Sequence, residues 1–501
     1  MSSTSVRLGL AVLLLSALHS SASHARSIST PSDKSGAPVT RGKRAADPLG
    51  ALNSTEKKVV AAVDRAVPAA LALLERTVNV NSGTMNFAGV REVGKIFEPE
   101  FAALGFTTEW VDGASWGRAG HLMARRSAGD KSAAVEKATA QPARGRPGVR
   151  GLNAGSGASS KVSPSKLPRV LLIGHLDTVF EKDSPFQRFE RLSDSTARAP
   201  GSCDMKGGIT VMLVALKALG EAGALDRLAV QVYLGGDEEK SGNPHALSRR
   251  HLRDAAEWAD VAIGFEDGAG DPRYAVVARR GASGWQLDVA AKPYHSGQIF
   301  REDIGSGAVF EAARILEAFR DSLAGERYLT FNPGVILGGT AVSYDSLANR
   351  GTAFGKANVI AERTVVAGDL RAISAAQRDA ARATMRRIAA ASLPHARADL
   401  TFDDGYPPLA PSDGNRRLLA IYDRASRDLG LGGVEGVDPS RAGAADVSFC
   451  DGLVDMAMDG VGLMGDGGHT VEETADLRTL PTQAKRMGLT LLRLAEGWGG
   501  R

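Results

Sequence analysis

Val170-Leu171-Leu172-Ile173-Gly174-His175-Leu176-Asp177-Thr178 is an apolar run that ends on a histidine and an aspartate two residues apart. A short continuous apolar run suits a strand buried on both faces, and such strands belong to helix-covered, largely parallel sheets. The flanking sequence keeps that rhythm. Ile209 to Leu219 reads as a helix, and Leu228 to Leu234 and Val261 to Phe265 read as further buried strands, which is a βαβ pattern. Upstream, Val59, Val60, Val63, Val67, Leu71 and Leu74 recur at helical spacing, with Pro68 expected to kink or split the run. A second helix is expected over Ala88 to Leu104, closed by Gly105, with strands at Phe106 to Val111 and His121 to Arg125.

Between residues 126 and 168 the chain becomes rich in Ala, Gly, Ser and Pro with scattered basic residues. It lacks the interleaved aromatics of a nucleic-acid arm and reads as a solvated insertion between two strands of one hairpin or sheet. From Arg279 the texture changes. Gly284 to Val289 alternates like a half-exposed strand, Gly307 to Ala318 is helical, Ala367 to Arg371 is strand-like, and Ala375 to Ala391 is an amphipathic helix. After Tyr406-Pro407-Pro408 the βα texture returns and runs to a last helix, Gln483 to Glu496. The domain expectation is therefore a catalytic α/β domain at 53–280 and 407–501, interrupted by an α+β unit at 281–406.

The N-terminus reads as an export signal. Arg7 precedes an apolar stretch from Leu8 to Leu18, and Ser23-His24-Ala25 makes a small-x-small cleavage site. Residues 1–25 are thus expected to be a signal peptide and 26–52 a flexible leader, which places the mature protein in the periplasm or outside the cell. The apolar stretch is too short for a membrane span. The whole chain has 501 residues, a hydrophobic fraction of 43% and a net charge of +4, which fits a soluble globular protein and argues against nucleic acid as partner. Its two cysteines, Cys203 and Cys450, make no disulfide framework, and free thiols are expected.

Chemistry gathers at the ends of the buried strands. His175 and Asp177 lie two apart, so Asp177 can accept one ring N–H of His175 and leave the other nitrogen for a metal; a core histidine satisfied by its neighbour is the plainer alternative. Asp204 stands at the mouth of the 209–219 helix, where it also reads as an N-cap. The adjacent Gly207 and Gly208 are costly in a first turn unless backbone must approach closely. Asp237-Glu238-Glu239 follows a strand end, where a cation would relieve the repulsion of three carboxylates and adjacent side chains diverge. Glu266 ends the next strand, and His469 sits in the glycine-rich Gly467-Gly468-His469-Thr470. Open α/β sheets place ligands at such carboxyl ends. Mixed imidazole and carboxylate donors suit zinc, or cobalt and manganese.

GHLDTV (174–179), DMKGG (204–208), GGDEEKSG (235–242), FED (265–267), KPYHSG (292–297), NVI (358–360), GDLRAIS (368–374) and GGHTVEETADL (467–477) stand in that order. The ordered set resembles the two-zinc metallopeptidases of the glutamate carboxypeptidase (carboxypeptidase G), aminoacylase and succinyl-diaminopimelate desuccinylase group, over nearly the whole chain from about residue 55. The resemblance implies a zinc-exopeptidase-type catalytic domain with an inserted lid or dimerisation domain, and a homodimer. It implies one metal on His175, Asp204 and Glu266, and a second on Asp204, Glu239 and His469. Asp204 would bridge, with a cis peptide following it. Glu238 would be the general base and Asp177 would orient His175. His295 would stabilise the oxyanion from the partner subunit, and Asn358 and Arg371 would bind substrate. The substrate would be a small peptide or an N-acyl amino acid. Exopeptidase and acylase activities both fit this pattern, and a non-catalytic binding protein fits it less well because Glu238 and the ligand set are intact. The chain departs from the carboxypeptidase G pattern at Tyr406-Pro407, where that pattern carries an arginine before a proline, and in two additions, 126–168 and 343–356. His121, His245, His251 and His395 match no motif and are expected to be structural or exposed.

Overall fold

Six strands make the central sheet of the computed structural model, which describes residues 52–127, 167–346 and 348–497. Their order is Thr107–Asp112, Gly120–Arg126, Ala229–Gly235, Arg169–His175, Val261–Gly264 and Met456–Met458. The last four run parallel, and the first two join by antiparallel pairing. The run 170–175 occupies the middle of this sheet and every residue of it is buried. Its alternate side chains feed two cores. Val170 and Leu172 pack with the helices Ser54–Val78, Gly207–Glu221 and Thr479–Gly497 on one face. Leu171 and Ile173 pack with Tyr233, Leu252 and Ala256 on the other, as the period of two requires. The fold class is the α/β arrangement anticipated from the sequence.

One expectation needs correction. The helix Ser54–Val78 runs unbroken through Pro68 and starts with a capping box between Asn53 and Glu56. Pro68 and Asp64, whose carbonyl the proline cannot serve, both lie on the exposed side, where the freed carbonyl need not find a partner in the core, and the helix continues. The strands flanking the low-complexity stretch share one sheet, as expected, with Ala229–Gly235 lying between them. The stretch itself falls outside the described residues from 128 to 166, as do the signal peptide and the leader up to residue 51.

Residues 282–406 build a second sheet, all antiparallel, in the order Thr330–Gly339, Arg363–Arg371, Ala282–Ala291, Ala396–Tyr406. The helices Gly307–Leu323 and Ala375–Ala390 cover it, with Trp285, Leu287, Ile315, Phe319 and Met385 in a separate core. The Gly/Ser/Asn-rich addition forms a hairpin, Ala341–Asp345 with Arg350–Phe354. The chain leaves and re-enters the larger sheet side by side, for Arg279 and Leu409 exchange backbone hydrogen bonds at 3.0 Å. Both cysteines are buried and free. Among the described residues no helix is long and apolar enough to cross a membrane.

Candidate metal centre

The five residues expected to hold metals converge although they are spread over nearly 300 positions of sequence. Their donor atoms fall into two groups, His175–Asp204–Glu266 and Asp204–Glu239–His469, each with all atoms within 4.8 Å of one another. Asp204 belongs to both. One of its oxygens lies 2.9 Å from His175 Nε2 and the other 2.8 Å from His469 Nε2. Glu266 Oε1 is 3.6 Å from the first imidazole and Glu239 Oε2 is 3.3 Å from the second.

Local backbone explains the convergence. His175 ends one strand, and Glu239 and Glu266 follow the two strands parallel to it. Asp204 sits in an irregular turn, Ser202–Lys206, that runs into the helix Gly207–Glu221, and the peptide bond Asp204–Met205 is cis. A Cβ on Gly207 would stand 2.2 Å from the Ser202 carbonyl oxygen, and one on Gly208 would stand 1.9 Å from that of Phe265. Gly208 therefore lets the helix mouth close onto the segment that carries Glu266, and Gly207 lets the Ser202–Lys206 turn close on itself. His469 has φ of 64°, a left-handed conformation uncommon outside Gly but one that His, like Asn and Asp, adopts more readily than most residues.

Three of the ligand-bearing segments are pinned by a buried carboxylate through main-chain N–H groups. Asp177 accepts from Glu238 at 3.1 Å and from Glu239 at 3.2 Å, as well as from the Thr84 hydroxyl at 2.7 Å. Glu473 accepts from Gly201 and Cys203 at 2.8 Å and from Asp204 at 3.4 Å. Asp459 accepts from Glu266 at 3.2 Å and is paired with buried Arg279 at 2.8 Å. The link from Asp177 to His175 differs from expectation. His175 Nδ1 is 3.0 Å from the Asp177 main-chain oxygen and 3.4 Å from its carboxylate, because that carboxylate is engaged by the 238–239 loop. Either way the ring's Nδ1–H is used and Nε2 faces Asp204.

The electrostatics follow from crowding negative charge where little water reaches. Burial, then the charge of Asp204, pushes Glu239 up to about 7 and Asp267 up to about 7. Burial likewise holds Glu238 and Glu266 well above the usual carboxylate range. Asp204 is the exception. Burial opposes its charge, but hydrogen bonds to His175 and His469 hold it below the usual range. Its bond, with that of Glu239, pushes His469 up to about 11. A cluster that otherwise draws in protons is one that divalent cations can neutralise. Glu239 Oε1 is buried with no hydrogen-bond partner, and carboxylate oxygens with imidazole nitrogens are the donor chemistry of zinc and its neighbours. These residues fit two divalent cations.

The remaining expected site residues lie in the smaller unit, His295 and Asn358 at one end of its sheet and Arg371 at the other. His295 and Asn358 are neighbours, since the His295 and Val359 backbones pair and Ser296 N–H donates to the Asn358 carbonyl at 2.9 Å. Both are exposed. Arg371 ends a strand on which Leu370 pairs with Ser283 while Arg363 pairs with Ala290. Seven residues of strand, roughly 23 Å, therefore separate Arg371 from the His295 end of that sheet. Its guanidinium meets Asp369 at 3.0 Å. His121, which matches no motif, is fully buried beneath the 236–242 loop, where Nε2 is 2.8 Å from the Ser248 carbonyl oxygen and Nδ1 accepts from Gly236 N–H. Reasoning from sequence also passed over Glu473, Asp459, Arg279 and Arg249. Only Glu473 carried a signal, as the carboxylate four residues beyond His469.

Residues 171–493 match the model of peptidase family M20/M25/M40. The chain is 25% identical to carboxypeptidase G2 of Pseudomonas sp. (strain RS-16) over 437 residues, 86% of this chain and 90% of that one. Its fold is shared with aminopeptidase PepT of Bacillus cereus ATCC 10987, at a TM-score of 0.62 and 17% identity over 85% of this chain and 98% of that one. It is shared also with a dinuclear metal-binding peptidase of the M20 family from Bacillus subtilis, at 0.54 and 12% identity over 87% and 99%. The family match takes in most of the chain and all five converging residues, and the protein belongs to the M20/M25/M40 peptidases.

Proposed function

We propose that this protein is an exported two-zinc exopeptidase that cleaves a C-terminal peptide bond or an N-acyl amino acid amide by water. The observation that carries the proposal is the pair of donor groups sharing Asp204, with Glu238 beside them. Bound zinc ions would supply carbonyl polarisation and acidify water. Glu238 takes a proton from the attacking water at its carboxylate and returns it to the leaving nitrogen. Asp177 orients His175 and the Glu238–Glu239 main chain.

The 281–406 unit serves in this reading as lid and dimerisation domain, with Arg371 gripping a substrate carboxylate and Asn358 contributing to the pocket. The roughly 23 Å between the two ends of its sheet favours His295 acting on the active site of a partner copy, as oxyanion donor. Export rests on the Arg7–Ala25 leader. The test is a substrate panel of acyl-glutamates, N-acetyl amino acids and dipeptides on the zinc-loaded mature protein. Hydrolysis is expected, and Glu238→Ala is expected to lower kcat by at least 100-fold. Wild-type turnover by that variant would overturn the assignment.

A further inference from the structure

Tyr406 is the last residue of the strand Ala396–Tyr406, where the chain returns from the smaller sheet to the larger. Its ring packs against His245 and Phe449, with centroids 5.7 and 5.2 Å away. Its hydroxyl points into the larger sheet's loop layer and lies 3.0 Å from the main-chain oxygen of Glu238. Arg249 Nη2 donates to the same hydroxyl at 2.7 Å.

Arg249 is a buried hub. It meets Asp446 through Nε at 2.8 Å, Asp237 through Nη1 at 2.8 Å, and the Asp237 carbonyl and Ser241 hydroxyl through Nη2 at 3.0 Å each. Arginine only donates, so the phenol oxygen must accept from it, and the phenol's own proton is left for the Glu238 carbonyl. A donor charge-assisted in this way is stronger than a neutral one.

Glu238 needs such support. Among the described residues no hydrogen bond reaches its side-chain carboxylate. The residue is set through its main chain, with its N–H on Asp177 and its C=O on Tyr406.

We propose that Tyr406, backed by Arg249, is a positioning residue for the general base, fixing where the Glu238 carboxylate stands by holding its peptide carbonyl. The proposal rests on Glu238 acting as base. It also makes the position that departs from the carboxypeptidase G pattern a support of the catalytic loop, anchored from the smaller sheet, and not a grip on substrate.

The test is Tyr406→Phe in the zinc-loaded full chain, assayed on whichever member of the panel the wild type turns over fastest. The expected result is a loss of about 10-fold in kcat with KM within twofold, and with zinc content and thermal midpoint close to wild type. In a Glu238→Asp background the same substitution is expected to cost less than twofold, because the carboxylate it positions has already moved. Arg249→Lys keeps the cation but cannot serve Tyr406 and both aspartates at once, and it should show the same split with the phenol in place.

An unchanged kcat, a rise in KM alone, or a full 10-fold loss persisting in the Glu238→Asp background would each overturn the proposal. The second of these would place Tyr406 in substrate binding instead. Should Glu238→Ala retain wild-type turnover, the reading of Glu238 as base fails first. If Glu238→Ala is inactive and Tyr406→Phe is unimpaired, only the present inference fails.

Discussion

Asp177 and Glu238 are joined through a main-chain N–H held at 3.1 Å by a carboxylate that is wholly buried. The same carboxylate holds the next N–H, that of Glu239, and its own main-chain oxygen meets the His175 ring. One residue thus sets a candidate ligand on one metal through its main chain, and a candidate ligand on the other and the proposed base through its carboxylate.

Asp177→Asn should therefore damage catalysis without unfolding the protein. The amide offers one acceptor oxygen where the carboxylate offers two, and its NH2 would face N–H donors. A loss of 10–100-fold in kcat/KM is expected, within the range for groups that support metal ligands. Steady-state kinetics with zinc stoichiometry check it, and an unaltered kcat/KM would show that the 238–239 loop holds itself.

Glu473 does for the Asp204 turn what Asp177 does for the Glu238 loop. Glu473→Gln leaves at least one of the N–H groups of Gly201, Cys203 and Asp204 poorly served, and an unserved buried donor costs about 1–3 kcal/mol. A lower thermal midpoint and zinc affinity weakened by about 10–100-fold are expected. Chelator competition measures the second. A variant with wild-type affinity would mean that the turn is rigid without this clamp.

His121 predicts acid lability separable from the metal ligands. Burial pulls it down to about 4 from an ordinary 6.5, with the nearby Arg249 charge in the same direction and Asp237 opposing. Its Nδ1 accepts from Gly236 N–H, so a proton there would set two donors face to face. The unfolded chain takes up that proton near 6.5 and the folded chain only near 4. Stability is therefore full above 6.5 and falls as the pH drops toward 4, by up to about 3 kcal/mol. Urea unfolding at stepped pH should show this slope in the wild type and a shallower one in His121→Gln. Equal slopes in the two would remove His121 as the cause.

Much of this was legible in the chain. The apolar run at 170–174 dictated a buried central strand, because only a sheet covered on both faces can accept it. His175, Asp204, Glu266 and the Asp237-Glu238-Glu239 run stand out as candidates because they sit at strand ends or at a glycine-rich turn, whereas the choice of Glu239 within that run and of His469 rests on the resemblance of the ordered motifs. Gly208 illustrates the link, since its absent side chain makes room for the Phe265 carbonyl. Tertiary structure alone decided what braces these residues. Arg249, Asp446, Arg279 and Asp459 come from unrelated stretches and carry no local pattern. Their pairing follows from burial, which makes an unpartnered charge too costly to leave alone. Pro68 was misread for the complementary reason. Whether a proline breaks a helix depends on whether water can reach the carbonyl it leaves free, and only the packed fold determines which side faces water.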